Sequence, residues 1–341
     1  MDIKEAISTV VSGKSLSIGD ASAVMNTIMD GEATPSQLGA FLTGLHLKGE
    51  TPPEIAGMAN VMREKALNVH VSEDVADTCG TGGDGKNTFN ISTAAAFVAA
   101  SCGIPVAKHG NRAASGSCGS ADVLEALGVK IDLEPEAVEK CITEVGMGFM
   151  FAPVFHPSMK YAGPVRREIG IPTVFNILGP LTNPAKAQYQ LLGVGRLELG
   201  QSMADVLALL GINHALVVHG EDGIDELTLS GNTTIWEVKS GVVESWSLKI
   251  SDTSLPHTPL DSITGGTADE NANKMRAIFN GESGPITNVI ALNSGAVLYA
   301  ANRVETIREG IEMAVEQINK GSALRKVDEL VNLSQELGNT N

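Results

Sequence analysis

The stretch that decides the fold runs from residue 77 to residue 93 and reads DTCGTGGDGKNTFNIST. Gly80, Gly82, Gly83 and Gly85 follow a short apolar run and precede an alanine-rich segment, a pattern typical of a strand, a tight loop and a helix. Glycine lets the backbone adopt positive φ and approach a ligand closely, and the start of a helix offers unpaired N–H groups. The stretch therefore predicts a loop that binds an anion such as phosphate.

Two familiar nucleotide-binding motifs nearly match this loop. The spacing of Gly80, Gly82 and Gly85 is that of the dinucleotide fingerprint, but the next predicted strand ends in Lys108-His109 where an acidic residue is required. The triphosphate-binding loop also nearly fits, although Asn87 stands where a metal-binding hydroxyl is needed. A structural glycine-rich turn without a ligand is a third interpretation of the loop taken alone.

A second loop of the same kind follows the next predicted strand. Residues 108–122 read KHGNRAASGSCGSAD, which combines cations, hydroxyls and glycines and leads into another helix. Because the carboxyl ends of parallel strands meet at one edge of a sheet, we expect the two anion-binding loops to lie side by side.

Several segments together resemble the anthranilate phosphoribosyltransferase family. They are GTGGD (80–84), NIST (90–93), KHGN (108–111), GSAD (119–122), GFMFAPVFHPSMKYAGPVRREIG (148–170), FNILGPLTNP (175–184) and HGEDGIDE (219–226). The segment GTGGD is shared with pyrimidine nucleoside phosphorylases of related fold, whereas KHGN with PVRRE and GIDE is specific to the anthranilate enzymes. The resemblance covers nearly the whole chain.

The resemblance implies an α/β fold of the nucleoside phosphorylase and phosphoribosyltransferase type. A small all-helical domain, residues 1–70, would be completed by part of 155–185, and a larger α/β domain with a mostly parallel sheet would occupy 71–341. The implied reaction transfers the phosphoribosyl group from 5-phosphoribosyl 1-diphosphate to the amine of anthranilate, a step of tryptophan biosynthesis. Two Mg²⁺ ions and a homodimer formed through the helical domain are also implied.

The resemblance also implies the site residues, and it implies no dedicated acid or base. For 5-phosphoribosyl 1-diphosphate they are Gly80, Gly83, Asp84, Thr88, Asn90, Ile91, Ser92, Thr93, Lys108, His109, Gly110, Asn111, Arg112, Ala113, Ala114, Ser115, Gly116 and Ser120. Those for anthranilate are Gly80, Asn111 and Arg166, and those for the metal are Ser92, Asp225 and Glu226. Gly116 departs from the hydroxyl residue expected there, so its phosphate contact would be through the backbone.

Simpler interpretations of some of these residues stay open. Asn90, Ser92 and Ser120 also fit helix N-caps, and the acidic loop around Asp225 and Glu226 could be merely solvated. Either Arg166 or Arg167 could meet the anthranilate carboxylate while the other faces solvent. His109 and His156 could be ligands or packing residues.

Composition limits the alternatives. The chain has 341 residues, 43% hydrophobic and 19% charged, as in ordinary globular proteins. It contains no apolar run of membrane-spanning length and starts with a polar segment, so we expect a cytoplasmic protein that binds no membrane. The formal net charge of −16 disfavours nucleic-acid binding and requires local cations and a metal wherever an anionic substrate binds. Four cysteines without C-x-x-C spacing indicate buried thiols.

The order of predicted elements supports two domains with a site between them. Residues 1–68 predict only helices, two of them started by capping boxes at Thr34 and Thr51. Six prolines between Pro153 and Pro184 suggest a crossing back to the helical domain and a hinge. Strands are predicted at 75–78, 104–107, 129–131, 215–219 and 289–292, helices at 92–102, 121–127 and within 304–336, and a β-rich region at 233–260.

Two other functions were weighed against the transferase. A pyrimidine nucleoside phosphorylase of the same fold would need a pocket that reads a pyrimidine. A non-catalytic nucleotide-binding or nucleic-acid-binding relative is disfavoured by the charge of −16 and has no use for the pair Asp225-Glu226.

Overall fold

The computed structural model describes residues 1–113 and 118–339, and its N-terminal part is a helical domain. This domain contains α1 (Ile3–Val11), α2 (Ile18–Met29), α3 (Pro35–Lys48) and α4 (Pro52–Lys65). Both predicted capping boxes are present, with Thr34 pairing to Gln37 and the N–H of Thr51 donating to Glu54 at 2.8 Å. Glu54 also accepts from the N–H of Leu16 at 2.9 Å, so the cap of α4 ties this helix to the connection between α1 and α2.

A seven-stranded, mostly parallel sheet forms the centre of the α/β domain. Its strands are β1 (Ala76–Gly80), β2 (Val106–Gly110), β3 (Met147–Phe151), β4 (Tyr189–Gly193), β5 (His214–Gly220), β6 (Thr233–Lys239) and β7 (Val242–Leu248). Their order in the sheet is β3-β2-β1-β4-β5-β6-β7, with only the pairings of β6 antiparallel. The strand order reverses between β1 and β4, which is where α/β sheets bind ligands.

Helices cover both faces of the sheet. They are α5 (Ile91–Ser101), α6 (Ser120–Leu127), α7 (Pro135–Val145), α8 (Ala152–Phe155), α9 (Met159–Ile169), α10 (Phe175–Leu178), α11 (Leu199–Leu209), α12 (Ala268–Phe279), α13 (Pro285–Ala300), α14 (Ile307–Asn319) and α15 (Ser322–Gly338). One core joins α5, α6, α7 and α12 to α15 with one sheet face. The other joins α1 to α4 with α9, α10, α11 and the opposite face of β4 to β6. The helical domain thus shares one core with this face of the sheet, and its α4 contacts α11 and α10.

Two predicted strands are wrong. Residues 129–131 belong to no strand, and the N–H of Lys130 donates to the Ser334 hydroxyl of α15 at 3.0 Å. Residues 289–292 lie within α13, whose residues are buried on nearly every face, so no helical periodicity marks them. The β-rich region proves to be the hairpin of β6 and β7, while β3 and β4 were not predicted.

Within residues 1–113 and 118–339, no helix is both long and apolar enough to cross a membrane.

Candidate active site

The reversal of strand order brings three loops together. Gly80 is the last residue of β1 and lies opposite Gly193, the last residue of β4. Asp225, in the segment that follows β5, contacts both glycines. A Cβ on Gly80 would lie 2.2 Å from Asp225 Oδ2, and one on Gly193 would lie 1.6 Å from the Asp225 carbonyl oxygen. Both positions therefore require glycine, and the glycine loop and the acidic loop are one packed unit.

The glycine loop has the backbone that its sequence predicts. Gly82 and Gly83 have φ values of 66° and 79°, which confirms the expected left-handed conformation. The N–H of Gly82 donates to Asp225 Oδ2 at 2.8 Å, and the N–H of Ser92, in the first turn of α5, donates to Glu226 Oε1 at 3.1 Å. The two acidic side chains thus meet backbone donors of the predicted anion-binding loop.

Three carboxylates crowd this point. Burial, followed by the charge of Asp84, raises the pKa of Asp225 to about 6, and burial with the charge of Asp225 raises the pKa of Glu226 well above its ordinary value. Asp84 Oδ2 is buried without a hydrogen-bond partner. A group of carboxylates of this kind fits a hard divalent ion such as Mg²⁺.

The protein groups alone do not complete a metal site. Among the described residues, no group of three or more His, Cys, Asp or Glu side chains is arranged to hold a metal ion. Mg²⁺ commonly binds through one or two carboxylates together with substrate phosphates and water. The arrangement of Asp225 and Glu226 is consistent with that partial type of site.

Lys108 lies beside the acidic group but is buried. Its ammonium donates to the Thr78 carbonyl oxygen and to Ser92 Oγ, the latter at 3.4 Å. Burial lowers the pKa of Lys108, while the nearby charge of Asp77 acts to raise it. Asp77, which sequence reasoning missed, accepts from Asn183 Nδ2 at 2.8 Å. An acidic residue on a buried strand just before the glycine loop was the signal that could have revealed it.

The predicted residues of the second loop have mixed surroundings. Arg112 pairs with Asp122 at 3.0 Å and Glu125 at 2.8 Å, and its guanidinium lies 5.6 Å from the centre of the Phe151 ring. A phosphate contact by Arg112 would require it to exchange these partners. Asn111 is exposed, and its carbonyl oxygen accepts from the Ser120 hydroxyl at 3.2 Å. The predicted residues Ala114, Ser115 and Gly116 lie outside the described part of the chain.

The side chains interpreted alternatively as helix caps do not cap. The Asn90 amide donates to the Cys118 carbonyl oxygen at 3.0 Å and accepts from Asn271 at 2.8 Å. Gly119 occupies the cap position of α6, one residue before Ser120. Ile91 and Thr93 are buried, which leaves only their backbones for a ligand.

The remaining predicted loop residues are placed by backbone contacts. Thr88 forms an isolated β-bridge with Thr264. A Cβ on Gly110 would lie 2.2 Å from Ser120 Oγ, so this position requires glycine. The N–H of Ala113 donates to Asp122 Oδ2 at 3.0 Å.

The remaining predicted polar side chains lie on other elements, Arg166 in α9, His109 in β2 and His156 directly after α8. The Arg166 guanidinium stacks 5.2 Å from the centre of the Phe175 ring, and no carboxylate of the described residues lies within ion-pair distance of it. Arg167, its neighbour, is exposed. The His109 and His156 rings are 5.0 Å apart.

Both histidines are neutral near pH 7. Burial lowers the pKa of His109 to about 3 and that of His156 to about 4. His109 Nδ1 donates to the Gly179 carbonyl oxygen at 3.2 Å, so its Nε2 is an acceptor. The Nε2 atoms of both rings are buried without partners among the described residues, which marks a place for a hydrogen-bond donor.

Comparison with known proteins identifies the family. Residues 4–66 match the helical bundle domain of a glycosyl transferase family, and residues 72–324 match the a/b domain of that family. An anthranilate phosphoribosyltransferase of Dehalococcoides mccartyi is 56% identical to this chain over 98% of its length and 99% of the relative's. The chain belongs to the anthranilate phosphoribosyltransferase family.

Solved structures of anthranilate phosphoribosyltransferases have the same fold. The crystal structure of the Thermus thermophilus enzyme superimposes with a TM-score of 0.92 at 44% identity, covering 97% of this chain and 99% of that one. The Saccharomyces cerevisiae enzyme, in complex with PRPP (5-phosphoribosyl 1-diphosphate) and Mg, gives a TM-score of 0.90 at 28% identity, with 98% of each chain covered. These relatives favour neither a nucleoside phosphorylase nor a non-catalytic binding protein.

Proposed function

We propose that this chain transfers the phosphoribosyl group of 5-phosphoribosyl 1-diphosphate to anthranilate at the edge of the sheet where β1, β4 and β5 end. The observation that carries the proposal is the meeting of Asp225 and Glu226 with the N–H groups of Gly82 and Ser92. An anion loop and a carboxylate pair in direct contact suit a diphosphate that arrives with a divalent cation. The family relationship supplies the reaction.

The glycine loop and the start of α5 would hold the diphosphate. Positive charge develops on C1 of the ribose while negative charge develops on the leaving diphosphate, so backbone N–H groups and a metal ion lower the barrier most. The N–H of Gly82 donates to Asp225, so the acidic loop and the diphosphate would meet at the same backbone groups. The remaining predicted residues of the two loops, including Asn90 and Ser120, would surround the ribose and its 5-phosphate.

Mg²⁺, when bound by Asp225, Glu226 and the Ser92 hydroxyl, would neutralise the diphosphate as it leaves. We propose two ions, because the unpartnered oxygen of Asp84 lies beside the same carboxylates and the diphosphate adds negative charge that one divalent ion and Lys108 do not balance. The protein holds these carboxylates next to the N–H groups of the loop.

Arg166 would bind the carboxylate of anthranilate. A guanidinium without a carboxylate partner, fixed by stacking on Phe175, can form two hydrogen bonds to a carboxylate and so orient the neighbouring amine. Asn111 and the backbone at Gly80 would line the same space, and the free Nε2 atoms of His109 and His156 offer acceptors for amine hydrogens. The amine is neutral at pH 7, and the secondary arylammonium ion it forms is a strong acid, so no dedicated base is required.

We further propose that the protein works in the cytoplasm as a homodimer joined through the helical domain, with anthranilate and 5-phosphoribosyl 1-diphosphate as its partners. Val11 and Leu47, from α1 and α3, are 67% and 80% exposed. A Cβ on Gly44 of α3 would lie 3.1 Å from a methyl group of Val11, so the two helices present one apolar surface. Light scattering on the purified protein tests this association.

An assay of anthranilate fluorescence tests the proposed reaction. In the presence of 5-phosphoribosyl 1-diphosphate and Mg²⁺, fluorescence should decay and should stop decaying when a chelator is added. A parallel assay with thymidine or uridine and phosphate should show no turnover. Turnover of a nucleoside without turnover of anthranilate would refute the proposal.

A further inference from the structure

A chain of three hydrogen bonds links helix α12 to both predicted phosphate loops. The N–H of Gly266 donates to Asn271 Oδ1 at 2.7 Å, Asn271 Nδ2 donates to Asn90 Oδ1 at 2.8 Å, and Asn90 Nδ2 donates to the Cys118 carbonyl oxygen at 3.0 Å. Asn271 is only 3% exposed and no predicted site contains it. The chain therefore runs from a helix outside the site, through the start of α5, to the loop after β2.

These three hydrogen bonds can run in only one direction. A backbone N–H can only donate and a backbone carbonyl can only accept, and these two groups form the ends, at Gly266 and Cys118. The amide of Asn271 must therefore turn its oxygen to Gly266 and its nitrogen to Asn90, which in turn must direct its own nitrogen to Cys118. A side chain at either middle position must therefore supply a donor and an acceptor at the same time, as the amide of asparagine does.

The segment before Asn271 holds the first loop by its backbone as well. The N–H of Gly265 donates to the Asn87 carbonyl oxygen at 2.8 Å, and the N–H of Phe89 donates to the Ile263 carbonyl oxygen at 2.9 Å. A Cβ on Gly265 would lie 2.9 Å from the Thr88 carbonyl oxygen, so the two segments touch. Residues 263–271 thus brace residues 87–90 along their whole length.

We propose that Asn271 is a positioning residue for 5-phosphoribosyl 1-diphosphate, an inference that rests on the proposed placement of this substrate at the loops after β1 and β2. Asn271 does not touch the substrate. It fixes the Asn90 amide, and through that amide it sets the spacing between the start of α5 and the loop that begins α6. Anthranilate recognition at Arg166 does not depend on this chain.

Two isosteric substitutions break the chain at different links. Asn271→Asp keeps an acceptor for Gly266 but sets a carboxylate against Asn90 Oδ1, whereas Asn90→Asp keeps the link to Asn271 but sets a carboxylate against the Cys118 carbonyl. Ser22→Ala serves as the control, because it also removes a tertiary bond to a backbone carbonyl, that of Gly57 at 3.0 Å, but within the helical domain.

Calorimetric titration with 5-phosphoribosyl 1-diphosphate and Mg²⁺ tests the inference. We expect Asn271→Asp and Asn271→Ala to weaken binding about tenfold, as for the loss of a buried hydrogen bond worth about 1.4 kcal/mol. The KM for anthranilate should change less than about twofold, and Ser22→Ala should bind as wild type. The effects of Asn271→Ala and Asn90→Ala should be far from additive, since both break the same link.

The two hypotheses fail differently. If Asn90→Ala binds the substrate normally, the proposed site itself is wrong. If Asn90→Ala weakens binding while both Asn271 variants bind as tightly as wild type, or if the effects of the two alanine substitutions simply add, the positioning role of Asn271 is refuted. A loss that falls equally on the anthranilate KM would assign Asn271 to general stability and would also overturn the inference.

Discussion

Arg166 and Arg167 are adjacent in sequence but differ in surroundings. Arg166 stacks on Phe175 and burial lowers its pKa, whereas Arg167 is exposed. Removing a charged partner from a partly desolvated contact costs about 2–4 kcal/mol, so Arg166→Ala should raise the KM for anthranilate on the order of 10²-fold. The KM for 5-phosphoribosyl 1-diphosphate should stay near its wild-type value. Arg166→Lys should restore only part of the affinity for anthranilate.

Arg167→Ala is the matched control for this comparison. Steady-state kinetics with each substrate varied in turn should leave its KM for anthranilate near the wild-type value. A shift in the KM for 5-phosphoribosyl 1-diphosphate in place of that for anthranilate would mean that Arg166 serves the other substrate.

Asp225 and Glu226, the proposed metal ligands, are carboxylates whose ionisation the fold disfavours. Because burial raises both pKa values, the ionised carboxylates are disfavoured in the folded state at neutral pH. The double variant Asp225→Asn, Glu226→Gln should therefore unfold at a higher temperature than wild type by calorimetry, with a gain of about 1–2 kcal/mol. It should also require much more Mg²⁺ to bind 5-phosphoribosyl 1-diphosphate.

Opposite signs of the two effects distinguish a metal-binding pair from buried carboxylates that have only a structural role. An unchanged magnesium titration, measured by the affinity for 5-phosphoribosyl 1-diphosphate, would show that these carboxylates do not hold the metal.

The glycine loop acts through its backbone N–H groups, whose orientation depends on positive φ. Gly83 has φ of 79° and open space around its Cβ position, so valine there would be strained but would not collide with a neighbour. Gly83→Val should cost about 1–2 kcal/mol of stability and abolish binding of 5-phosphoribosyl 1-diphosphate, because the N–H groups lose their orientation. The circular dichroism spectrum should be unchanged.

Gly241, in the turn between β6 and β7, provides the matched control. Its φ is 81° and its Cβ position is equally open, so Gly241→Val carries the same backbone strain far from the site. We expect equal loss of stability in both variants and loss of binding only in Gly83→Val. Normal binding by Gly83→Val would show that the loop is purely structural.

In the whole molecule, two groups of carboxylates change the free energy of unfolding with pH in opposite directions. Asp225, with its pKa raised to about 6, destabilises the fold as pH rises from about 4 through 6. Glu237 accepts hydrogen bonds from His214, Tyr299 and Trp246, which lower its pKa to about 2. Its stabilisation is complete above the ordinary glutamate pKa of about 4.3 and is lost as pH falls toward 2.

Urea unfolding without ligands should therefore show an optimum on the acid side of neutral. Stability should rise as pH is lowered from 7.5 to about 5.5, helped by relief of the net charge of −16, and should fall below pH 4. The Asp225→Asn, Glu226→Gln variant should lose much of the gain in stability between pH 7.5 and about 5.5. Glu237→Gln should lose less stability than wild type below pH 4. A wild-type stability that declines steadily from pH 7.5 to 5.5 would contradict this account.

Local features of this chain were determined by its sequence. The positive φ of Gly82 and Gly83, the capping boxes at Thr34 and Thr51, and the strand that precedes each anion loop depend on residues within a few positions of one another. The motifs also indicated the family, because GTGGD, KHGN, PVRRE and GIDE resemble those of the anthranilate phosphoribosyltransferases.

Tertiary structure decided what depends on distant neighbours. Residues 289–292 form part of a helix and 129–131 form no strand, because apolar runs take their conformation from the surfaces that bury them. The contact of Asp225 with Gly80 and the hydrogen bond from Asn271 to Asn90 join residues more than a hundred positions apart. Hydrogen bonds of this kind leave no periodicity in the sequence, since they are fixed only when helices and strands pack in three dimensions.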